Sequence, residues 1–309
     1  MNRRAEELQW KKLNQREKRE FFRVKQRGFI DNGRIYNEDG EDVSDYFELA
    51  TKVPEEVSRG LSVKGELAEH EKENGGFFFA FFIQAQSMSD RFPELTQSDL
   101  ARLMFIGTYV AWQTNRLQYD NGRIIDKKAL NKLLGMNQRN FRDFWKRLES
   151  SGIVQEYDSM IYVNPSVFYR GNVKKLHSDV EEMKYARMFK KTIRDLYEQF
   201  NGRTIKQLAL IYCVIPWMNF DTNIVCNNPN DTDAERLSPM SIGTLADHLG
   251  YERPDKLKQA LERIKLDGEP VFYCPPSVHD RRQNRVIINP NVVYAGNGEM
   301  LAAIKILFN

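Results

Sequence analysis

The stretch DKKALNKLLGMNQRNFRDFWKRLESSGIVQEYDSMIYV, residues 126–163, contains the pattern that decides the predicted fold. Asp126 can cap a helix, and Gly135 can end it because glycine adopts the left-handed conformation without strain. Asn137 can cap a second helix after a short turn, and the alternating residues 154–163 predict a tight hairpin. Helix, short turn, helix and hairpin is the order of a winged helix-turn-helix.

The second helix of this pattern has one apolar face and one polar face. It is predicted to bury four large apolar side chains: Phe141, Phe144, Trp145 and Leu148. In a winged helix-turn-helix the second helix enters the major groove, where each base pair presents a distinct edge. We therefore expect the outward side chains to contact DNA bases: Arg139, Asn140, Arg142 and Lys146.

The same order of elements recurs toward the C-terminus. Ser241 can cap a helix that Gly250 ends, and Pro254 suits the first turn of the next helix. That next helix is predicted to bury Leu257, Leu261 and Ile264. Its expected DNA-contacting residues are Lys256, Lys258 and Gln259. The following hairpin, residues 271–288, is long and basic, which favours contacts to phosphate or the minor groove by Arg281, Arg282 and Arg285. The first hairpin (QEYDSM) is acidic and is expected to avoid phosphate.

An internal alignment supports a duplication. LMFIGTYVAW at 103–112 matches LALIYCVIPW at 208–217, which places Trp112 opposite Trp217. VNPSVFYRG at 163–171 matches INPNVVYAG at 288–296. The offset grows along the chain, so the alignment needs insertions, and these fall in predicted loops. We expect residues 77–171 and 200–297 to superpose as two winged units.

The domain organisation follows from this duplication. Residues 1–76 are predicted to hold a basic helix over 6–25, then an acidic segment of mostly loop and short helix. Residues 77–172 form the first winged-helix domain, opening with the aromatic run FFFAFFIQAQ at 77–86 as a buried strand. Residues 173–200 form a linker helix, and 201–309 the second winged-helix domain with a final helix. The predicted fold class is mainly α with small β-hairpins (α+β), as tandem winged helix-turn-helix domains.

Three uses of the linker helix, expected over Leu176–Phe200, remain open. Its apolar residues recur every three or four positions, as in an amphipathic helix. Such a helix can pack on its own domain, hold the two winged units at a fixed separation, or form the interface of a homodimer.

Composition and motifs exclude several classes of protein. No run of apolar residues is long enough to span a membrane, and the three cysteines are widely spaced, which indicates reduced thiols in the cytoplasm. No phosphate-binding glycine loop and no Cys-x-x-Cys pair is present, and the four histidines are not at metal-ligand spacing. We therefore expect no enzyme activity, no metal and no cofactor.

Residues 1–28 hold ten Lys and Arg against four Glu, which is compatible with a phosphate-touching arm or a solvated helix face.

The first repeat resembles the RepL-type replication proteins of small plasmids in Gram-positive bacteria. The residues that carry the resemblance are YDNGRIIDKKALNKLLGMNQRNFRDFWKRLESSGIV at 119–154 and then VNPSVFYRG, whose Asn164, Pro165 and Gly171 reproduce the Asn-Pro and glycine ending of that family. Two features depart from it: the family has one winged unit, and residues 1–76 have no counterpart. The resemblance implies a plasmid or phage protein that acts on DNA.

Three functions are compatible with these observations. The chain is expected to be a sequence-specific binder of double-stranded DNA, used as a replication initiator at origin repeats. The alternatives are a phage or plasmid transcription regulator and a protein-docking factor that acts on host polymerase without DNA. The first two imply host replication or transcription machinery as further partners.

Overall fold

The computed structural model describes Gln15, Lys18, Arg19, Val24 and residues 27–31, 34–44, 55–176, 180, 182–200, 204–275 and 285–308. The chain divides into two compact units, one ending at Glu66 and one beginning at Leu67. The helix predicted over 6–25 lies almost entirely outside the described residues. In the part of the chain that is described, no helix is long and apolar enough to cross a membrane.

The described parts of residues 28–76 contain more regular secondary structure than the predicted loop and short helix. Strands β1 (Phe29–Asp31) and β2 (Arg34–Tyr36) form an antiparallel hairpin, and helix α1 spans Glu55–Glu73. The prediction failed because glycines inside α1 argue against a helix. Each glycine costs about 1 kcal/mol relative to alanine, and burial of residues such as Leu67 and His70 outweighs that cost.

The unit beginning at Leu67 mixes helices and antiparallel strands, so the prediction of an α+β fold is confirmed. Its further helices are α2 (Met88–Arg91), α3 (Gln97–Gly107), α4 (Lys127–Leu134), α5 (Gln138–Ser150), α6 (Lys190–Phe200), α7 (Ala209–Val214), α8 (Ile242–His248), α9 (Pro254–Arg263) and α10 (Leu301–Lys305). Its strands are β3 (Phe77–Phe82), β4 (Val154–Tyr157), β5 (Met160–Val163), β6 (Phe168–Tyr169), β7 (Lys184–Phe189), β8 (Lys265–Leu266), β9 (Glu269–Pro270), β10 (Phe272–Tyr273), β11 (Ile287–Ile288) and β12 (Val293–Tyr294).

A four-stranded antiparallel sheet joins the two sequence repeats, in the order β12-β7-β3-β6. The aromatic run predicted as a buried strand is β3, one of the two central strands, and five of its six residues are buried. It pairs on one side with β6 and on the other, over six residues, with β7. The opening strand of the first repeat therefore pairs directly with a strand of the second.

The prediction of one long helix over Leu176–Phe200 is wrong in its first half, because residues 184–189 form β7 and only 190–200 form a helix, α6. Buried Ala186 and Met188 fit a strand as well as a helix, and pairing with β3 decides between the two. The second repeat therefore begins at Lys184, and among the described residues no α-helix separates it from the first, only a short 3-10 turn at Val173–Lys175.

Both repeats contribute to one hydrophobic core. Helix α6 of the second repeat packs on α3 of the first, where the rings of Phe105 and Tyr197 stack with centroids 3.8 Å apart. The Tyr197 hydroxyl also donates to the carbonyl oxygen of Leu134 at the end of α4. The core thus fixes α3 and α4 of the first repeat against the second repeat.

Candidate nucleic-acid interface

The turn between α4 and α5 is built as the sequence predicts. The Asp126 carboxylate accepts from the backbone N–H of Ala129, and Gly135 ends α4 with a φ of 61°. The Asn137 side chain accepts from the backbone N–H of Asn140 at the start of α5. The side-chain caps fix where α4 and α5 begin, and packing of both helices into one core gives the exposed face of α5 a defined direction.

The predicted apolar face of α5 is buried and the predicted polar face is exposed. Phe144 and Leu148 are fully buried, and Phe141 and Trp145 are less than 10% exposed. The four candidate side chains all lie on the exposed face: Arg139, Asn140, Arg142 and Lys146. The three cations among them form no ion pair with any residue that the structure describes. They are therefore available to an anionic partner.

An ion pair that the sequence analysis missed holds α5 in place. The Arg147 guanidinium donates from Nε and Nη2 to the carboxylate of Asp99, at 3.0 and 3.1 Å. Asp99 is buried and also closes a capping box with Thr96 at the start of α3. The two partners lie 48 residues apart, and no local pattern links one to the other, so only the fold brings them together.

The first hairpin, β4–β5, has the predicted register and tip. Asp158 and Ser159 form the turn with φ of 48° and 60°. The Glu156 carboxylate lies 2.6 Å from the Lys127 ammonium, so its charge is partly compensated. The expectation that this hairpin repels phosphate is weakened accordingly. Tyr157 beside the turn is 68% exposed, which adds a flat aromatic side chain to the exposed surface.

The second pair of helices, α8 and α9, also follows the predicted plan. Ser241 caps α8 by accepting from the N–H of Thr244, and α9 begins at Pro254. The predicted inward residues are fully buried: Leu257, Leu261 and Ile264. The three candidate residues are less uniform than those of α5: Lys256 and Gln259 are exposed, and Lys258 is partly exposed with its Nζ 3.8 Å from Glu262.

The second hairpin is described only at its base. Strands β10 and β11 pair through Phe272 with Ile288 and Tyr273 with Ile287, as predicted for 271–288. Arg285 is exposed next to β11, whereas Arg281 and Arg282 lie outside the described residues. A short hairpin, β8–β9, precedes it and was not predicted; its turn is Asp267-Gly268, both at positive φ.

A buried asparagine closes the framework of the first repeat. The Asn115 side chain donates from Nδ2 to the carbonyl oxygens of Val163 and Phe168, at 3.0 and 2.6 Å. Asn115 is 3% exposed and its φ is 54°. It thus joins the segment before α4 to the end of the β4–β5 hairpin.

The second repeat contains the same arrangement. Asn223, with φ of 55° and no exposure, donates from Nδ2 to the carbonyl oxygens of Ile288 and Val293, at 3.0 and 2.8 Å. The Asn-Pro motifs correspond as well. The backbone N–H of Asn164 donates to the carbonyl oxygen of Ile153, and that of Asn289 to the carbonyl oxygen of Val271, so each motif closes the hairpin that precedes it.

These hydrogen bonds correct the sequence alignment of the tryptophans. Asn115 and Asn223 are 108 residues apart, and the same offset relates Tyr109 to Trp217, whose carbonyl oxygens accept from Gln118 and Cys226. Trp112 is 56% exposed and Trp217 only 3%. The pairing of the two tryptophans is therefore wrong. The alignment was misled because two identical tryptophans outweigh a three-residue shift when residue types alone are compared.

The described residues include no group of three or more His, Cys, Asp or Glu side chains that could hold a metal ion. Burial raises the pKa of the Cys213 thiol to about 12, so at neutral pH this side chain is a protonated, unreactive thiol.

No protein-family profile, curated protein sequence or solved structure matches the chain. The resemblance to RepL-type proteins stays a prediction based on the residues that carry it, 119–154 and 163–171.

Proposed function

We propose that the chain is a tandem winged helix-turn-helix protein that binds double-stranded DNA at specific sequences, with α5 and α9 in the major groove. The observation that carries this proposal is the outward face of α5. Its Arg139, Arg142 and Lys146 are exposed and unpaired among the described residues, on a helix held by one side-chain cap and a buried ion pair. The major groove of B-DNA is wide enough to admit an α-helix, and a cationic helix face is attracted to DNA phosphates.

The side chains of α5 and those of the second hairpin have different roles in DNA binding. Arginine and asparagine on α5 are suited to bidentate contacts with guanine and adenine edges, and these contacts discriminate by about 1–3 kcal/mol each. The arginines of the second hairpin are suited to phosphate or minor-groove contacts, which position the protein without reading sequence. Arg142→Ala should therefore relax sequence preference, and Arg282→Ala should weaken binding to all duplexes about equally.

We further propose that the DNA site is a replication origin of a plasmid or phage, on the strength of the RepL resemblance. The protein would act in the cytoplasm as a binding protein without catalysis or cofactor, and would recruit host replication machinery. Use as a transcription regulator at a promoter involves the same DNA readout, and the function as a docking factor involves none.

The test is the affinity of the full chain for duplexes selected from a random pool, measured from low to moderate salt. Each neutralised phosphate should contribute a slope of about −0.9 in log K against log salt. Arg142→Ala should lose preference for the selected sequence over a scrambled one. Lys191→Ala, which removes an exposed cation from α6, is the matched control and should bind like the natural chain. Binding that ignores salt, or none, would favour the docking function.

A further inference from the structure

The central strands β3 and β7 occupy equivalent places in the two repeats. Phe168 and Val293 are equivalent, because their carbonyl oxygens accept from Asn115 and Asn223 respectively. In the sheet Phe168 lies opposite Ala80, and Val293 lies opposite Met188. Ala80 and Met188 are therefore equivalent, at an offset of 108 residues, the same offset that separates Asn115 from Asn223.

Applied one residue earlier, the same offset makes Phe79 equivalent to Arg187, and these two residues lie directly opposite each other in the β3–β7 pair. When equivalent residues face each other in an antiparallel pair, a two-fold axis passes between them, perpendicular to the sheet. A translation along that axis would lift one strand out of the sheet, and the pairing excludes it. The two repeats are thus related by a closed two-fold rotation.

Other contacts obey the same axis. The sheet order β12-β7-β3-β6 places the equivalent strands β6 and β12 at the two outer edges. Helix α3 of the first repeat corresponds to residues 205–215 of the second, which contain α7 and the 3-10 turn Ile205–Leu208, and these segments pack on each other. The axis therefore relates helices as well as strands, and by extension α5 and α9.

We infer that one chain reads two half-sites in inverted orientation on a single duplex, one through α5 and the other through α9. This inference rests on the proposed function. Two units that bind one duplex equivalently must be related either by the screw of DNA, which gives direct repeats, or by its perpendicular dyads, which give inverted repeats. A closed two-fold rotation corresponds to the dyad alone. One chain thus does what a symmetric dimer of single winged units would do.

The two half-sites are inverted in arrangement but different in sequence. The buried residues Phe141 and Leu257 align α5 with α9, so Arg142 corresponds to Lys258 and Lys146 to Glu262. A bidentate arginine is replaced by a point charge, and a cation by an anion, so the two helices present different groups to the base edges. The site is a pseudo-palindrome whose halves are read by different side chains.

The experiment uses the full chain and four duplex series built from the two selected half-sites: inverted, direct, first half alone and second half alone. The paired series vary the half-site spacing over one helical turn. We expect the best inverted duplex to bind at least ten-fold tighter than any direct duplex, with one chain per duplex in sedimentation equilibrium. Arg142→Ala should weaken hydroxyl-radical protection mainly in one half, and the Lys256→Ala, Lys258→Ala double variant mainly in the other.

Two results would overturn the inference while leaving DNA binding intact: a direct duplex that binds as tightly as the inverted one, or two chains on each inverted duplex. Protection of a single half-site at every spacing would also overturn it, since α9 would then be outside the interface. If none of the four duplex series binds, the proposed function itself fails. These outcomes separate the orientation of the site from the existence of the site.

Discussion

The two repeats share a buried framework and differ in what they expose. Asn115 and Asn223 have nearly the same φ, similar burial and equivalent pairs of carbonyl partners. The sequence around them is not the same, since Arg116 and Leu117 correspond to Ile224 and Val225. Buried backbone carbonyl groups need hydrogen-bond donors, so the asparagine amide recurs in both repeats although the neighbouring residues differ.

The exposed helix faces show the contrast. Helix α5 has thirteen residues, a side-chain cap and three unpaired cations among the described residues. Helix α9 has ten residues and no side-chain cap. Two cations on it or directly before it face acids: Arg253 lies 2.8 Å from Asp255, and Lys258 lies 3.8 Å from Glu262. The comparison shows that a common scaffold presents two chemically different surfaces, with α5 the more cationic of the two.

Replacement of either framework asparagine should have the largest effect on stability. Asn115→Ala removes the donors to two buried carbonyl groups, at about 1–3 kcal/mol each, and places alanine at a φ of 54°, which costs roughly 1–2 kcal/mol more. Urea unfolding should show a loss of ~4 kcal/mol, and Asn223→Ala a loss of similar size.

Glycine variants separate the two causes. Asn115→Gly loses the same hydrogen bonds but tolerates the positive φ, so it should lose about 1 kcal/mol less than Asn115→Ala. If Asn223→Ala is almost neutral while Asn115→Ala is not, the two asparagines share a geometry but not a structural role, and the equivalence of the frameworks is broken.

The next effect concerns an anchor that only the first repeat possesses among the described residues. Arg147→Ala removes the bidentate partner of the buried Asp99 carboxylate and leaves only Arg102, whose Nη1 lies 3.8 Å away, and loss of one partner of a buried pair costs about 3–5 kcal/mol. Because the Arg147 side chain is 31% exposed, we expect the lower end, ~3 kcal/mol, by urea unfolding. Arg142→Ala, on the exposed face of the same helix, should change the free energy of unfolding by less than about 0.5 kcal/mol.

A double variant distinguishes loss of the ion pair from loss of packing by the Arg147 side chain. In the Asp99→Asn, Arg147→Met double variant this buried charge pair is gone, so part of the lost stability should return. A double variant less stable than Arg147→Ala would show that the aliphatic stem and not the charge holds α5.

Local patterns predicted most of the framework. The caps Asp126, Asn137 and Ser241, the buried stripe of α5 and the aromatic strand β3 were all readable, because each depends on residues close together in the sequence. Exposure of the candidate cations on α5 followed from the same helical phase.

Features set by distant contacts could not be predicted. Strand β7 competes with a helical pattern and is decided by pairing with residues more than 100 positions earlier. The pair of Asp99 with Arg147, and the two-fold axis between Phe79 and Arg187, depend on tertiary register. The phase of the helix separates Arg147 from its exposed neighbour Lys146, but nothing in the sequence identifies Asp99 as the partner of Arg147.

Alanine variants at equivalent positions of α5 and α9 test whether the two helices contribute differently to DNA binding. Arg142→Ala should weaken binding to the selected duplex by roughly 1–3 kcal/mol and reduce discrimination against a scrambled duplex. Lys258→Ala, at the equivalent position of α9, should have a smaller effect, because this ammonium already faces Glu262. Fluorescence anisotropy on both duplexes measures the two variants. Equal losses in affinity and specificity would show that the two helices contribute alike.

The smallest expected effect concerns a one-sided link between the repeats. Asp120 of the first repeat accepts from the Lys190 ammonium at 2.6 Å and from Arg194, both on α6. Its counterpart at the same offset is Asn228, which has no charge to pair. Hydrogen bonding to Arg194 lowers the pKa of Asp120 from its ordinary value of 3.8 to about 2, so the carboxylate stabilises the folded state when ionised.

Because the pKa of Asp120 is lowered in the folded state, its contribution to stability is lost on acidification. The stabilisation is fully present above about pH 5, declines as the pH falls through about 4 toward 2, and is absent below both pKa values. The difference in free energy of unfolding between the natural chain and Asp120→Asn should therefore shrink over that range. The difference at neutral pH should be small, because the Asp120 side chain is 59% exposed and its ion pairs are screened.

Asp195→Asn, which removes an exposed carboxylate from α6 without breaking an ion pair to any described residue, is the matched control. Its pH profile is the reference with which the profile of Asp120→Asn is compared. If Asp195→Asn and Asp120→Asn show the same pH profile, the link between the repeats is apolar, through Phe105 and Tyr197, and not ionic.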